Sequence, residues 1–295
     1  MGISFRKMHG LGNDFVLLDG RGQALPYEHR PNLWTRWMIH LADRRKGVGC
    51  DQIIILRPSH DADVFMQIFN ADGSEVAACG NATRCVAWRL MQERGLSEVS
   101  VKTKAGILQC YQHHIEGNAM PFICVNMGLP EFMWDKIPMS HDVDTCDIAH
   151  GIVGLPSGVA VNMGNPHIVI FVEDVHAVPL QEVGALLEYS PLFPERVNVT
   201  LAQCEDRDHI IIKTWERGAG ETLACGTAAC ATMVAARRRS LIDDAVRIDL
   251  PGGTLWIEWQ GTETNPAHPV WMTGEAKTVY EGILTIPYLE EDRVA

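Results

Sequence analysis

Short apolar, β-branched runs bounded by Gly, Asn or Asp punctuate the chain at residues 15–19, 52–56, 64–69, 99–103, 167–172, 210–215 and 254–259. That pattern predicts strands. Two stretches depart from it: residues 81–94 and 227–239 take up helical spacing. The first stops at Gly95 and the second in Arg237, Arg238 and Arg239. Both are ordinary helix ends, the arginines suiting the negative end of the helix dipole. The second helix is apolar nearly all round (Ala228, Ala229, Cys230, Ala231, Met233, Val234, Ala235, Ala236), as expected of a helix enclosed by a sheet.

The pattern also repeats. IFNADGSEVAACGNATRCVA from Ile68 aligns without a gap on TWERGAGETLACGTAACATM from Thr214, at an offset of 225 − 79 = 146 residues. Glu75 meets Glu221, Ala78 meets Ala224, Cys79 meets Cys225, Gly80 meets Gly226 and Ala82 meets Ala228. Upstream, GNDFVLL from Gly12 resembles GNPHIVI from Gly164; downstream, VKTKAGIL from Val101 resembles IDLPGGTL from Ile248. Three matches in one order imply a duplicated domain. The expected architecture is α+β: two pseudo-symmetric domains, each a curled mixed or antiparallel sheet around a central helix. Residues 1–122 form the half with Cys79, joined by a C-terminal strand at 277–295; residues 123–276 form the half with Cys225. The linker is sought within 117–130.

Composition removes several alternatives. A length of 295 residues suits two domains with buried cores. A formal net charge of −12 leaves no basic stripe for nucleic acid, and Arg44, Arg45 and Lys46 read as a solvated turn. No run of 18 apolar residues offers a membrane span, and residues 1–10 lack the apolar core of a signal peptide, so a cytoplasmic location is expected. Nine cysteines is an odd count without a single Cys-x-x-Cys, which disfavours a disulfide framework and a zinc site. Asp142, Asp144 and Asp147 beside His141 match no calcium-loop spacing and read as a solvated loop. Gly10-x-Gly12 and Gly218-x-Gly220 do not continue as nucleotide-binding motifs. No metal is expected.

The chemistry that remains lies in the repeat. Each copy sets a cysteine at a helix start, followed by Gly and then by a residue able to cap, Asn81 or Thr227. Unpaired N–H groups there carry partial positive charge, so a thiol pKa should fall toward the working range and a carboxylate can be held. Two such units about a pseudo-twofold axis would bring a sulfur to each side of one cleft. That suits removal of a proton from carbon on one face and its delivery on the other, with carboxylate binding supplying much of the catalysis. The polar residues nearby are mostly neutral amides (Asn13, Gln52, Asn70, Asn81, Asn165, Asn198), with Glu216 and Arg217 adding one charge of each sign. The set fits a small zwitterion, and Arg217 is the natural bidentate partner of a carboxylate. A buried packing role is the ordinary expectation for a cytosolic cysteine; the gapless repeat reverses it for Cys79 and Cys225 and leaves it standing for Cys85 and Cys230. His167 reads equally well as a satisfied strand histidine, and Asn13 and Asn165 as turn formers.

KMHGLGNDF from Lys7, CDQIIIL from Cys50, IFNADGSE from Ile68, CGNATRC from Cys79, NMGNPH from Asn162, ERVN from Glu195 and WERGAGETLACGTAAC from Trp215 together resemble the diaminopimelate epimerase family, in its order and through most of the chain. The resemblance implies a PLP-independent, two-domain homodimer with no cofactor. It implies interconversion of LL- and meso-diaminopimelate, a step feeding lysine and peptidoglycan synthesis. It makes Cys79 and Cys225 the acid and base. Gly80 with Asn81, and Gly226 with Thr227, would hold the reacting carboxylate. Asn13, Gln52, Asn70, Asn165, Asn198, Glu216 and Arg217 would recognise the remaining groups, and His167 and Glu216 would tune the sulfurs. Ala82 and Ala228 stand where the family commonly has Gly. The nearest competing reading is a proline or hydroxyproline racemase of the same fold, which should prefer a tighter, more apolar pocket. A non-enzymatic thiol sensor, its cysteine pair forming a reversible disulfide, would have no need of the amide set.

Overall fold

The computed structural model describes residues 2–114 and 122–285. Residues 286–295 of the expected C-terminal strand, and the 117–121 portion of the expected linker, lie outside the described residues. The chain divides into two units, Met1–Ile123 with Glu275–Ala295, and Cys124–Gly274.

In the first unit the order is β1 (Gly2–Gly10), β2 (Asn13–Asp19), α1 (Pro31–Ala42), β3 (Gln52–Arg57), β4 (Val64–Asn70), β5 (Glu75–Val76), α2 (Gly80–Arg94), β6 (Glu98–Thr103) and β7 (Gly106–His113). β1 and β2 form a hairpin whose two-residue turn, Leu11 and Gly12, has φ of 55° and 81°. Consecutive left-handed residues give the turn that matches strand twist, and Gly12 adopts it without Cβ strain. β2 then pairs parallel with β3, β3 and β5 antiparallel with β4, β4 parallel with β6, and β6 antiparallel with β7. The chain returns at its end as β17 (Lys277–Thr285), antiparallel to β1.

The second unit contains β9 (Gly158–Asn162), β10 (Pro166–Phe171), α3 (Leu180–Glu188), β11 (Asn198–Cys204), β12 (His209–Glu216), β13 (Gly220–Thr222), α4 (Gly226–Arg238), β14 (Ala245–Leu250), β15 (Gly253–Glu258) and β16 (Trp271–Glu275). β8 (Phe122–Asn126) leads into it and β16 out of it. Its pairings from β9 to β15 reproduce those from β1 to β7, parallel for parallel and antiparallel for antiparallel. The duplication therefore extends beyond the cysteine blocks to α1 and α3, each placed between the two parallel strands.

Each unit has two layers of core. On one side of the first, Trp37, Met38 and Leu41 of α1 pack on Val16, Leu18, Ile53, Ile55 and Phe69. In the second, Leu180, Val183 and Leu187 of α3 pack on Ile168, Ile170, Val199 and Leu201. On the other side a helix sits in the curl of each sheet: α2 against β1, β6 and β7, and α4 against β9, β10, β11, β14 and β15. Every residue of α4 from Ala228 to Ala236 is buried, which accounts for its almost wholly apolar, mostly small-residue sequence. The arginines at its end do more than face the dipole. Arg238 stacks 4.5 Å from the Phe132 ring centroid and donates to Thr145 Oγ1 at 3.0 Å; Arg239 donates to the Cys146 carbonyl at 2.9 Å. Among the described residues no helix is long and apolar enough to cross a membrane.

Candidate active site

Both helices begin at the glycine, one residue earlier than the spacing predicted. The N-caps are the cysteines themselves, Cys79 with φ −153° and ψ 110°, Cys225 with φ −123° and ψ 108°. Asn81 and Thr227, expected as caps, lie inside the first turn. Neither first turn contains an acidic side chain. Two equivalent helix starts thus offer N–H groups and a sulfur to an anionic ligand.

In the first unit, Asn13 Oδ1 accepts from Cys79 Sγ at 3.8 Å and from Asn81 Nδ2 at 3.3 Å, while Asn13 Nδ2 donates to Asp51 Oδ2 at 3.0 Å. The hairpin turn brings Asn13 there. Behind it stands an ionic frame: Arg44 bridges Asp14 and Asp51 at 2.7 Å each, and Lys7 pairs with Asp14 at 2.6 Å and donates to the Gly49 carbonyl. Arg44 lies in the solvated turn expected of it and stays more than half exposed, yet its guanidinium reaches both carboxylates. Burial alone raises the Asp14 carboxyl, but Arg44 and Lys7 hold it far below the usual carboxylate range. Gln52 and Asn70 pair across β3 and β4, Gln52 Nε2 donating to Asn70 Oδ1 at 3.0 Å. Gln52 Oε1 is buried with no partner among the described residues.

The second unit builds a matching set with different groups. Gln52, Asn70 and Cys79 correspond to Asn198, Glu216 and Cys225 at one offset (198 − 52, 216 − 70 and 225 − 79 are each 146). Asn198 is buried; its Nδ2 donates to the Pro166 carbonyl at 2.8 Å and its Oδ1 accepts the Arg217 N–H at 2.9 Å. Arg217 Nη1 donates to the Glu195 carbonyl at 2.9 Å, and Thr222 Oγ1 donates to Glu216 Oε1 at 2.5 Å. His167 lies beside Asn198 in the β10–β11 register and meets Asn165 Oδ1 through Nε2 at 2.9 Å. Burial, then the Arg217 charge, pushes its pKa down to about 3, so the ring is neutral at physiological pH. With Nε2 donating, Nδ1 is a buried acceptor without a partner among the described residues.

Cys225 reverses one expectation. Its thiol is pushed well above the usual range, first by burial and then by the Glu216 carboxylate, against the opposing Thr227 hydroxyl (3.5 Å from Sγ) and Ala228 N–H. Desolvation of a thiolate outweighs the helix-start field here. Cys85, raised to about 12 by burial, and buried Cys230 are packing residues. In the acidic loop, Asp144 accepts the Cys146 N–H, a turn-forming bond; among the described residues no group of three His, Cys, Asp or Glu side chains is placed to hold a metal.

Sequence reasoning missed Lys7, Asp14, Arg44 and Asp51 in the first unit, Arg84, which donates to Asn81 Oδ1, and in the second unit Glu188, which accepts from the Trp215 indole and the Gly218 N–H. Adjacency of Asp14 to Asn13 and of Asp51 to Gln52 was the available signal.

The family model described as diaminopimelate epimerase matches residues 5–133 and 159–279, which include both cysteine blocks and every residue named above as a candidate. The chain belongs to the diaminopimelate epimerase family. Similar relatives include the diaminopimelate epimerase of Rhodospirillum centenum, 47% identical over 283 residues that cover 95% of this chain and 92% of the relative. That of Zymomonas mobilis is 46% identical, covering 96% and 97%. Among solved structures, a hydroxyproline epimerase from Agrobacterium vitis superposes with a TM-score of 0.67 at 17% identity, covering 96% of this chain and 91% of that one. A Bacillus anthracis phenazine biosynthesis protein of the PhzF family gives 0.67 at 20%, covering 97% and 100%. These last two share the fold.

Proposed function

We propose that the protein is a diaminopimelate epimerase that interconverts the LL and meso isomers with two sulfurs and no PLP. The observation that supports this most directly is the equivalence of Cys79 and Cys225, each the N-cap of the enclosed helix in a duplicated unit. One sulfur, as thiolate, takes the α-proton; the other, as thiol, returns a proton to the opposite face, and the roles exchange in reverse. The first-turn N–H groups at Gly80, Asn81, Gly226 and Thr227 bind the α-carboxylate, and their fields stabilise the charge that develops as the proton leaves. Arg217 binds the distal carboxylate. Gln52 Oε1 and His167 Nδ1, buried acceptors in want of donors, and the Glu216 carboxylate suit the ammonium groups. Asn13, Asn70, Asn165 and Asn198 complete the recognition set.

Burial raises the Cys225 thiol and Glu216 raises it further, so binding of an ammonium group against Glu216 would relieve part of that penalty when it is needed. No disulfide joins any of the nine cysteines, all of them among the described residues, which fits a reducing, cytoplasmic setting. A homodimer is supported by β17, where Val279, Tyr280 and Ile283 are exposed, Ile283 at 76%. Ile283→Asp should then lower the mass seen by light scattering to that of one chain.

The test is incubation of the reduced protein with LL-diaminopimelate in deuterated water without added PLP, followed by proton NMR. Wild type should exchange one α-proton and form the meso isomer, and Cys79→Ala and Cys225→Ala should form none. Turnover of proline or hydroxyproline in place of diaminopimelate would transfer the two-sulfur chemistry to the racemase reading.

A further inference from the structure

An asparagine side chain offers an oxygen or a nitrogen from nearly the same shape, so a chain of amides has a direction only if its ends impose one. In the first unit both ends do. Arg84, fully buried in α2, can only donate, and its Nη2 bonds Asn81 Oδ1 at 3.0 Å. Asn81 is left with Nδ2, which donates to Asn13 Oδ1 at 3.3 Å. Asn13 then turns its own Nδ2 to Asp51 Oδ2 at 3.0 Å, and an ionised carboxylate can only accept. Asp51 is itself held, by Arg44 Nη2 at 2.7 Å and by the Asp14 N–H at 3.0 Å. A cation at one end and an anion at the other give the relay a single polarity. Its consequence falls on Cys79, whose sulfur lies 3.8 Å from Asn13 Oδ1.

We propose that Asp51 and Arg84 are positioning residues for the reacting sulfur of Cys79: by fixing the direction of the Asn81–Asn13 relay they keep a carbonyl oxygen, rather than an amide N–H, against it. The proposal rests on Cys79 being one of the two proton-transfer groups. An acceptor oxygen favours the protonated sulfur, which can donate to it, and disfavours the thiolate; a flipped Asn13 would do the reverse. The relay therefore biases Cys79 toward the thiol without placing any charge next to it.

The test is the pH dependence of Cys79 alkylation by iodoacetamide in the full-length protein, read by peptide mass spectrometry, with Cys225 followed in the same digest. Asp51→Ala removes the acceptor that anchors Asn13 Nδ2. The expected result is a downward shift of the Cys79 midpoint on the order of half to one pH unit, the worth of one hydrogen bond, with Cys225 unmoved. Asp51→Asn removes the same charge but keeps a carbonyl acceptor, and should stay close to the wild-type midpoint. Equal shifts in the two variants would reduce Asp51 to its charge, and no shift in either would leave the relay without effect on the sulfur; both results overturn the proposal. Should Asp51→Ala not fold, neutron diffraction from wild-type crystals reads the direction itself. Deuterons are expected on the Asn13 side-chain atom facing Asp51 and on the Asn81 atom facing Asn13; deuterons on the Asn13 atom facing Cys79 overturn it. Neither readout depends on turnover, so failure of the epimerase reading, seen as no exchange in wild type, stays distinct from failure of the relay.

Discussion

Glu188 and Trp215 are joined by a 2.7 Å bond from the indole Nε1 to one carboxylate oxygen, and the other oxygen takes the Gly218 N–H at 2.9 Å. The two donors bracket Glu216 and Arg217, so one buried side chain at the end of α3 clamps the turn that presents both. Glu188→Gln leaves one acceptor oxygen for two part-buried donors, at a cost of about 1 kcal/mol. We expect a lower Tm and a KM for diaminopimelate that rises more than kcat falls, because Arg217 loses its fixed platform. Steady-state kinetics beside a thermal melt decides the matter, and an unchanged KM contradicts it.

Acid should weaken the fold through His167. Its folded-state pKa of about 3 lies below its ordinary 6.5, so the unfolded chain takes up the proton first. Stability is then whole above about pH 6.5 and falls as pH drops from there toward 3, by ~2 kcal/mol at pH 5 relative to pH 7. Urea unfolding at the two pH values measures this, and His167→Gln should flatten the difference. A variant with the wild-type slope would place the titrating group elsewhere.

Removing the Glu216 charge should free the Cys225 proton. Burial is the larger cause of its raised pKa and the carboxylate the second, so Glu216→Gln lowers the pKa without bringing it to the ordinary value. Alkylation of Cys225 at fixed neutral pH should accelerate, roughly tenfold for each pKa unit removed. Turnover should fall all the same, since the same carboxylate is proposed to meet substrate.

Ala82 and Ala228 occupy fully buried positions in the first turns of α2 and α4. Reverting each to the glycine commoner in the family should cost about 1 kcal/mol by helix propensity, with a Tm lower by about 2 °C for each. Activity in the folded variants should be preserved, because neither methyl replaces a group that touches substrate. Calorimetry and kinetics on the double variant test both halves of that statement.

Much of this molecule could be read before it was seen, and the boundary between what could and could not is physical. All seven segments expected as strands overlap observed strands, because an apolar β-branched run between turn residues has few other uses. β1 escaped since Lys7 sits where the alternation wants an apolar side chain; it is buried there because Asp14 and the Gly49 carbonyl meet its ammonium. The buried Leu33, Trp37, Met38 and Leu41 of α1 have helical spacing, but Arg36 and His40 interleave with them, and nine-residue α3 is too short to stand out. Of the candidate site, Asn13, Asn81, Asn198 and Arg217 could be proposed from the sequence because they sit in repeated or motif-bearing blocks. Asp51 and Arg44 were not, because their purpose depends on a partner brought close by the parallel pairing of β2 with β3. A charge scattered in sequence reads as surface until the fold supplies its counter-ion.

One chain holding two copies of a unit can let equivalent positions diverge, which two identical chains cannot do. Asn70 and Glu216 each stand nine residues before their cysteine (79 − 70 and 225 − 216), and only the second is charged. Substitutions at such a pair are inherited separately, so natural variation can adjust one sulfur's acidity while the other stays as it was. Tandem fusion thus gives selection two independent handles on the proposed reaction, whose two proton transfers would demand opposite properties.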